Sequence, residues 1–456
     1  MNMKFLTTVW FLVIASLFSL LSCKEDFLNA KYDKRKNVPS TVKDYQALLD
    51  NASVLNAGQP IMGEYAGDDY EILFPRWQNL TNLYKYTYIW SDELDVINDE
   101  FVDWTEGFRK IYIANVVLDG LSSLDQNKVN VAERNEFDNA KGGALFYRGS
   151  CYYQLAQEFC KQYEPQLAEA DLGLPIRLTS DLNIHVDRST LSVTYKQMLD
   201  DLHTAAVLLP ATVSVKTRPS KAAAYAMLAK VYLQMGDYPN SLKYADSCLI
   251  LQHEIQDLNE LNLTASFPFA MFNKEVIFHA TLYSSAGMTQ SNALVSEELY
   301  QQYENYDLRK IAYFKIAGDR YTFKGSFAGS AIIFGGITTA ELFLIRAESN
   351  MRLKNIAAGK TDLLNVLTNR YRNNNIVLVS DDQQQLLAKI KEERRKELLF
   401  RGIRWSDIRR YNVLDKDNIK IVRNLDGQVF ELKPMDKRFV FPFPKAAIDF
   451  GGYENN

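Results

Sequence analysis

Cysteine and histidine are scarce in this sequence, which contains four of each among 456 residues. No CxxC or HExxH spacing occurs, so the usual zinc-binding and dithiol motifs are absent. Cys151 and Cys160 are nine residues apart on one predicted helix, which separates them by about 13–14 Å and excludes a disulfide between them. We therefore predict that Cys151, Cys160 and Cys248 are reduced, buried side chains.

Sequence motifs of catalysis are also lacking. The chain has no GxSxG or GxGxxG motif, and the P-loop-like run at 358–361 has Lys354 in place of its first glycine. The acidic residues at 92–103 fit a pair of glycosidase acids, but a solvated helix start explains them more simply. We therefore expect no enzyme activity. The net charge of −4 provides no basic field for nucleic acid.

The N-terminal residues have the pattern of an export signal. Lys4 precedes a continuous apolar run that is too short for a stable transmembrane span. The run ends in Leu-Leu-Ser-Cys at 20–23, which resembles the lipobox of bacterial lipoproteins. We predict that residues 1–22 are removed as a signal peptide and that Cys23 is lipidated, with an ordinary signal peptide and a chance cysteine as the alternative. Lys-Glu-Asp at 24–26 resembles the acidic tag that sends some lipoproteins to the outer face of the outer membrane.

Apolar periodicity predicts a mostly helical chain. The clearest stretch, 221–245, alternates small and aromatic residues, turns at a Gly-Asp pair and continues as a second helix, which resembles a tetratricopeptide unit. A looser copy follows at 340–372, and such units need about three or more copies to stack stably. We therefore predict a helical repeat scaffold with long loop-rich inserts and a few short strands. Further helices are predicted at 42–49, 93–121, 132–163, 189–209 and 392–411.

Two segments without helical periodicity interrupt this scaffold, around 50–91 and 251–336. The first is rich in Gly and Asp, and the second is rich in Tyr. Long irregular segments on a rigid frame commonly carry binding residues. We therefore expect the two inserts to carry the functional site. The proline-containing residues 413–456 are predicted to form an extended tail that crosses the body.

Aromatic residues are abundant, with 26 Tyr, 25 Phe and 5 Trp. Tyr and Trp rings stack on the CH faces of sugars, while Asp and Arg bind sugar hydroxyls. Burial of the same rings in a large helical core is the alternative. A structural Ca²⁺ at Asp68 and Asp69 is a further hypothesis, although no EF-hand spacing supports it, and no other cofactor is predicted. The predicted ligand-binding residues are Asp69, Arg76, Trp77, Trp90, Tyr283 and Tyr303.

The stretch 392–411 is unusually dense in charge. On a continuous helix, Arg394 and Arg401 would fall within the apolar stripe of Leu398 and Trp405. Buried arginines need acidic partners. We therefore predict an ion-pair clasp with the neighbouring Glu and Asp residues, with an anionic ligand as the alternative.

The same stretch resembles a known family. Residues 393–410 match the pattern E-x-x-x-E-L-x-F-x-G-x-R-W-x-D-[IL]-x-R, which resembles the SusD/RagB family of outer-membrane nutrient-binding proteins. Arg401 departs from the family, because members often have Glu before the glycine. That glycine, Gly402, predicts either close packing or an early end of the helix.

The resemblance implies a fold, a function and partners. The fold would be one SusD-like domain over 23–456, and the protein would have no catalytic activity. It would be a surface lipoprotein, anchored in the outer membrane through Cys23, that captures a glycan on an arc of aromatic rings. A SusC-like TonB-dependent transporter would receive the ligand. A peptide-binding, RagB-like protein and a repeat scaffold for other surface proteins are the alternatives.

Overall fold

The computed structural model describes residues 38–124, 131–376 and 380–455. The chain divides into an N-terminal unit, Met1–Ser40, and a compact unit, Thr41–Asn456, to which all elements below belong. Among the helices that the structure describes, none is long and apolar enough to cross a membrane.

Helices account for most of the described residues, as predicted. Their apolar side chains bury a continuous hydrophobic core. In chain order, the helices are α1 (Val42–Leu49), α2 (Ala52–Leu55), α3 (Met62–Ala66), α4 (Phe74–Gln78), α5 (Asn82–Ile89), α6 (Val102–Ser123), α7 (Val131–Phe159), α8 (Leu191–Leu208), α9 (Lys221–Met235), α10 (Tyr238–Leu251), α11 (Glu297–Gln301), α12 (Arg309–Ala312), α13 (Thr339–Arg352), α14 (Ile356–Thr368), α15 (Gln383–Glu397), α16 (Arg404–Arg410) and α17 (Lys445–Gly451). A π-helical turn, Tyr411–Asp415, follows α16.

The strands are short and lie between the helices. They are β1 (Tyr70–Glu71), β2 (Leu172–Pro175), β3 (Arg188–Thr190), β4 (Val276–Phe278), β5 (Leu294–Val295), β6 (Phe314–Ala317), β7 (Arg320–Phe323), β8 (Ile337–Thr338), β9 (Ile421–Leu425) and β10 (Gln428–Leu432). Four of them form one sheet in the order β1-β5-β7-β6, and the others pair as β2-β3, β4-β8 and β9-β10. The pairings are antiparallel.

The predicted tetratricopeptide-like unit is confirmed by α9 and α10. Ser220 caps the start of α9, and Gly236 ends it with a left-handed φ of +75°. Asp237 then caps α10. Between the two helices, Ser241 Oγ donates to Ala229 O at 3.0 Å. The small residues of α9 therefore let α10 approach closely.

The second predicted unit corresponds to α13 and α14. A Cβ at Gly359 would lie 2.9 Å from Ala347 O, so the close approach of these helices requires glycine. The glycine of the P-loop-like run therefore serves helix packing. Along the stack, α7 packs against α6 and α8, α8 against α9, α10 against α13, and α13 against α15. The described helices thus form the predicted repeat scaffold.

Three of the sequence predictions have wrong boundaries or the wrong structure. The helix predicted from residue 93 begins at Val102, and the first insert contains α2 to α5 instead of continuous loop. The predicted extended tail at 413–456 contains the β9-β10 hairpin. Its turn residues, Asp426 and Gly427, have φ of +51° and +81°, which is the tight turn that Asp-Gly favours.

The long C-terminal helix that we predicted is broken. Helix α15 ends at Glu397 and α16 begins at Arg404, with Phe400 at φ +55° and Gly402 at φ +73° between them. Glycine adopts a left-handed conformation without steric cost. A Cβ at Gly402 would also lie 3.2 Å from Leu282 Cδ2. The helix therefore ends at Glu397, before Gly402, and the left-handed Gly402 allows close packing within the break. The residues on the two sides of the break do not share one face.

Arg394 and Arg401 are both buried, but they are stabilised differently. Arg394 Nε donates to Asp407 Oδ2 at 2.7 Å across the break. Arg401 lies over the rings of Phe327 and Phe334, at 4.3 and 4.6 Å from their centroids, and forms no ion pair with a described residue. The predicted ion-pair clasp is therefore confirmed for Arg394 and wrong for Arg401.

Glu393 and Glu397 bind arginines that come from other parts of the chain. Arg309 of α12 donates to Glu393 at 2.5 Å and to Glu397 at 3.2 Å. Arg370, which follows α14, donates to Glu397 at 2.7 Å. All four side chains are buried, and buried charges persist only in such paired arrangements. The network ties α15 to the second insert.

The cysteines of the described chain are buried and free, as predicted. Burial raises the pKa of the Cys151 thiol to about 11 and that of Cys160 to about 12. Burial likewise raises the pKa of Cys248, so none of the three is a thiolate at neutral pH. Cys23 and the predicted signal peptide at 1–22 lie outside the described residues.

Candidate functional site

The two inserts meet in one antiparallel sheet. Strand β1 of the first insert pairs with β5 of the second, which continues through β7 to β6. At a second junction, Gln59 N–H donates to Thr281 O at 2.9 Å, and Tyr283 N–H donates to Gln59 O at 2.8 Å. The segments that sequence treats as separate inserts are therefore joined by backbone hydrogen bonds.

A partly exposed aromatic ridge follows β1. Helix α4 has Pro75 in its first turn, where the missing N–H costs no intrahelical bond. The rings of Phe74 and Trp77 stack, with 5.8 Å between their centroids and 20° between their planes. Trp77 Nε1 donates to Lys85 O at 3.2 Å, which fixes the orientation of the ring. Leu73 extends the ridge as an exposed apolar side chain.

Polar groups occur in the same segment as this ridge. Exposed Glu71 of β1 forms an ion pair with Arg320 of β7 at 2.8 Å, and Arg76 is exposed on α4. A sugar ring has an apolar CH face and hydroxyl groups at its edge. An aromatic ring binds the CH face, while guanidinium and carboxylate groups donate to and accept from the hydroxyls. We call the following residues the α4 surface: Glu71, Leu73, Phe74, Arg76, Trp77 and Arg320.

The second insert contributes half-buried tyrosine rings. Tyr283 lies beside Gly58, where a Cβ would be 3.7 Å from its ring. Tyr300 and Tyr321 stack with centroids 3.6 Å apart, and Lys310 Nζ lies 5.0 Å from the Tyr300 centroid. Tyr283 stays a predicted ligand contact, as do Arg76 and Trp77 of α4. The tyrosine stack was not predicted, because nothing in the spacing of its residues pairs their rings.

Trp90 and Tyr303 are both buried. The predicted contact of Tyr303 with a ligand is therefore wrong, whereas Trp90 also lines a cavity beyond the end of α5, so its ligand contact stays a prediction. Trp90 is 2% exposed, and its Nε1 donates to Ala66 O at 3.0 Å. Tyr303 is fully buried, and its hydroxyl donates to Lys396 O at 2.8 Å. Both rings satisfy their polar atoms inside the protein, as buried Tyr and Trp usually do.

Asp68 and Asp69 are held by arginines from the C-terminal helices. Asp68 accepts two bonds from Arg404, at 2.7 and 2.8 Å, and buried Asp69 accepts one from Arg395 at 2.8 Å. Burial favours a higher pKa for Asp68, but the charges of Arg404 and Arg395 lower that pKa well below its usual range. The calcium hypothesis and the ligand role of Asp69 are therefore wrong, because these oxygens already bind guanidinium groups.

One group of carboxylates among the described residues is close enough together for a metal ion: Glu304, Glu392 and Glu393. Lys396 Nζ lies 2.9 Å from Glu304 and 2.8 Å from Glu393. Lys389 Nζ lies 2.8 Å from Glu392. The two ammonium groups occupy the position that a cation would take, so we propose no metal site there.

Arg423 of β9 supports the first insert from the interior, a role that sequence reasoning missed. Its guanidinium donates to the carbonyls of Tyr88 at 2.8 Å, Tyr70 at 3.0 Å and Tyr65 at 2.9 Å. It also lies 3.7 Å from the centroid of the Tyr88 ring. Because its partners are backbone carbonyls and rings, no acidic residue in the sequence marks this contact.

Two buried acids lie at helix α3 of the first insert: Asp103 binds the start of the helix, and Glu64 is part of it. Asp103 Oδ2 accepts from the N–H groups of Ile61 and Met62, each at 2.7 Å. Glu64 Oε1 accepts from Gly402 N–H at 2.5 Å. Burial raises the pKa of Asp103 to about 6 and that of Glu64 to about 8. Glu64 therefore carries a proton at neutral pH.

We expect Glu64 to make the free energy of unfolding fall by about 2–3 kcal/mol between roughly pH 6 and pH 9. Its pKa rises from 4.5 to about 8 on folding, so the folded state binds the additional proton. That stability is complete below about pH 4.5, where both states bind the proton, declines as pH rises above that value and is lost once pH passes about 8. Urea unfolding followed by tryptophan fluorescence measures the profile. Glu64→Gln should flatten it, and an equally steep profile in this variant would contradict the assignment.

Two family models match this chain. A family described as starch-binding and associating with the outer membrane matches residues 26–233, and the SusD family matches residues 283–449. Among curated proteins, SusD-like protein P2 of Formosa agariphila is 26% identical over 380 residues. That similarity covers 67% of this chain and 70% of the relative.

Solved structures share the fold. One protein of Bacteroides vulgatus has a TM-score of 0.75 at 20% identity, and the match covers 92% of this chain and 99% of that protein. A SusD-like carbohydrate-binding protein from the same species has a TM-score of 0.67 at 19% identity, covering 91% of this chain and 97% of that protein. At these identities the similarity concerns the fold alone.

Proposed function

Because this chain belongs to the SusD/RagB family, we propose that it binds a glycan at the α4 surface and delivers it to a SusC-like TonB-dependent transporter. The observation that carries the proposal is the α4 surface, where half-buried Trp77 stacks on Phe74, and Glu71, earlier in the same segment, pairs with Arg320. One matching family is described as starch-binding and associated with the outer membrane. One structural relative is described as carbohydrate-binding.

Glycan binding at this surface follows from simple chemistry. The Trp77 ring offers an apolar face to the CH groups of a sugar. Arg76 and Arg320 donate to hydroxyls, and Glu71 accepts from them. The ring of Phe74 and the bond from the indole N–H hold Trp77 in place, which limits the entropy lost on binding. Capture and delivery break no bond of the ligand, so the proposal includes no catalytic step.

Calorimetric titration of the mature, soluble protein with neutral oligosaccharides tests the proposal. We expect at least one of them to bind. If peptides bind and no glycan does, the RagB-like alternative replaces this function. If neither class binds, a scaffold that organises other surface proteins replaces it. Release of sugars from a labelled oligosaccharide, with no other enzyme present, would show a hydrolase instead.

We propose that Cys23 carries the lipid that anchors the protein on the outer face of the outer membrane. Cys23→Ser should move the protein from the membrane to the soluble fraction, because each buried CH₂ of an acyl chain contributes about 0.8 kcal/mol. Cell fractionation and incorporation of labelled palmitate measure this. The control Cys248→Ala changes a cysteine that is buried in the core and should keep the anchor. Undiminished labelling of Cys23→Ser would contradict the proposal.

We propose the transporter partner from family membership. The lipidated protein, purified gently from detergent-solubilised outer membranes, should bring a TonB-dependent barrel with it. A reading frame for such a barrel next to the gene would identify the partner. Normal glycan uptake in cells that lack the protein would contradict a role in delivery.

A further inference from the structure

A cavity of about 400 Å³ opens beyond the end of α5. It is lined by residues of the loop at 161–171, of the C-terminal segment at 435–442 and of the segment at 87–94 that includes Trp90, and Arg409 of α16 forms what we call its floor. The volume lies within the range of small-ligand sites. None of the lining residues belongs to the α4 surface, so this is a separate place in the fold.

Arg409 lies in the floor of this cavity with only 3% of its surface exposed. Its Nη1 donates to Gln157 O and its Nη2 to Cys160 O, at the C-terminal end of α7. A guanidinium group has about five N–H donors. Within the described part of the chain, these two carbonyls are its hydrogen-bond partners. Arg409 therefore keeps donors for a further partner.

Arg409 also differs from the other arginines of α16. Arg404 pairs with Asp68, and Arg410 pairs with Glu348. Arg409 forms no ion pair with any residue that the structure describes. Carbonyl groups at a helix end offset part of a positive charge, but they do not neutralise it.

The one carboxyl group that acts strongly on Arg409 does not balance its charge. That group is Glu158, whose pKa burial and the neighbouring Asp103 raise well above its usual value. That shift favours the neutral form of the Glu158 carboxyl group. Burial lowers the pKa of Arg409 to about 10, so the arginine stays charged there. The floor of the cavity thus carries a buried positive charge.

Most other charged side chains around the cavity already form pairs. The pairs are Lys161 with Asp171 at 2.7 Å, Arg438 with Asp436 at 2.7 Å, and Lys437 with Asp92 at 3.6 Å. Half-buried Glu164 also lines the cavity and forms no ion pair with a described residue. A ligand that enters the cavity therefore meets a positive floor and a rim of paired charges.

The remaining lining is largely apolar. Phe439, Phe441 and Val413 line the interior. Leu167 and Met435 are 48% and 58% exposed, although both are apolar, and they also line the cavity. Exposed apolar side chains that cluster at a cavity mark a ligand site. With the buried cation below them, they favour a ligand that has an apolar face and one anionic group.

We propose that this cavity binds a hexuronic acid residue of a glycan, with its carboxylate on Arg409 and its ring against the apolar wall. Arginine binds carboxylates through two parallel hydrogen bonds. The choice of a sugar rests on the proposed function, because a peptide C-terminus also carries a carboxylate. The pairs Lys161–Asp171 and Lys437–Asp92, which line the cavity, favour the sugar. They offer hydrogen-bond donors and acceptors to several hydroxyls.

Calorimetric titration of the mature protein with galacturonic acid and with galactose tests the proposal. Galacturonate should bind at least about tenfold more tightly than galactose, and its affinity should fall as salt is added. Arg409→Met should lower the galacturonate affinity by at least about tenfold, while neutral oligosaccharides bind the α4 surface as before. If the wild-type protein does not prefer galacturonate, or if Arg409→Met binds it equally well, the proposal is wrong.

A second variant keeps the test valid if Arg409→Met does not fold. Leu167→Trp fills the mouth of the cavity and should also weaken galacturonate binding. Val207→Trp adds the same ring on an exposed face of α8, outside the cavity, and should leave that binding unchanged. If the two tryptophan variants bind galacturonate alike, the proposal is wrong.

A third probe decides between sugar and peptide. N-acetylalanine carries the carboxylate of a peptide C-terminus, and tighter binding of this compound than of galacturonate would overturn the assignment to a sugar. Binding of neutral oligosaccharides is measured separately. Failure of the uronate proposal is therefore distinguishable from failure of the proposed function at the α4 surface.

Discussion

Replacing Glu397 with alanine is expected to lower the free energy of unfolding by about 3–5 kcal/mol. The Glu397 side chain is 1% exposed. Its carboxylate accepts from Arg370 Nη2 at 2.7 Å and from Arg309 Nη1 at 3.2 Å. Removing it leaves two buried guanidinium groups with one acid fewer. A buried charge that loses a partner costs far more than a broken pair on the surface.

Urea unfolding of Glu397→Ala beside Glu392→Ala measures this effect. Glu392 lies on the same helix, but its side chain is partly exposed and pairs with Lys389. Its loss should cost less than about 1 kcal/mol. Because Glu397 is not part of the α4 surface, the folded fraction of Glu397→Ala should keep the glycan affinity of the wild type. Equal stability of the two variants would contradict the structural role of the network.

Replacing Trp77 with alanine is expected to weaken glycan binding about 10- to 150-fold, since burial of an aromatic side chain is worth about 1.5–3 kcal/mol. Trp77 is half-buried, and its backing by Phe74 and its bond to Lys85 O fix the ring. The loss should appear in the affinity measured by calorimetry with the oligosaccharide that binds most tightly.

Two control variants separate stacking from general damage. Trp77→Phe keeps a ring on the α4 surface and should retain most of the affinity. Tyr112→Ala removes an exposed ring on α6, outside the α4 surface, and should bind as the wild type does. Unfolding curves of all three variants check that the protein is folded. Unchanged glycan affinity in Trp77→Ala would contradict the proposed site.

The scaffold was predictable because its signals are local. Apolar residues at helical spacing mark most of the long helices. In the repeat unit, the left-handed Gly236 and the capping Asp237 stand between the two helices, and both signals are visible in the sequence. Packing then follows from the small residues of α9, so the repeat assignment required no knowledge of distant contacts.

The broken helix shows where local signals are insufficient. Helical spacing that continues through residues 392–411 predicts one unbroken helix with a single apolar face. In the structure, Phe400 and Gly402 adopt left-handed conformations that interrupt the helix. Contacts with Leu282 and Glu64 accompany that geometry. These two residues are far away in the chain and cannot be paired with the break by spacing. The predicted ion pair of Arg401 was wrong for the same reason, whereas the pair of Arg394 with Asp407 was confirmed.

The C-terminal hairpin was missed although its signal is present. Asp426 and Gly427 form the two-residue turn between β9 and β10, and Asp-Gly is a strong hairpin signal. The prolines that follow favoured an extended tail in the sequence analysis. As a result, the support that Arg423 gives to the first insert was missed as well.

The candidate site was only partly predictable, because exposure is a tertiary property. Trp77 and Trp90 occur in the same insert and look alike in sequence, yet one is half-buried on the α4 surface and the other lies in the core. Asp69 was predicted to bind a ligand, but it bonds to Arg395, which lies 326 positions later in the chain. Sequence therefore pointed to the insert that carries the candidate site, and long-range contacts decided which side chains face the solvent.

The most direct test of glycan capture is a crystal structure of the mature protein with the neutral oligosaccharide that binds it most tightly. One sugar ring should stack on the Trp77 indole at van der Waals distance, about 4 Å, with hydroxyls within hydrogen-bonding distance of Glu71, Arg76 or Arg320. A sugar bound elsewhere, with the α4 surface free of ligand, would contradict the central claim.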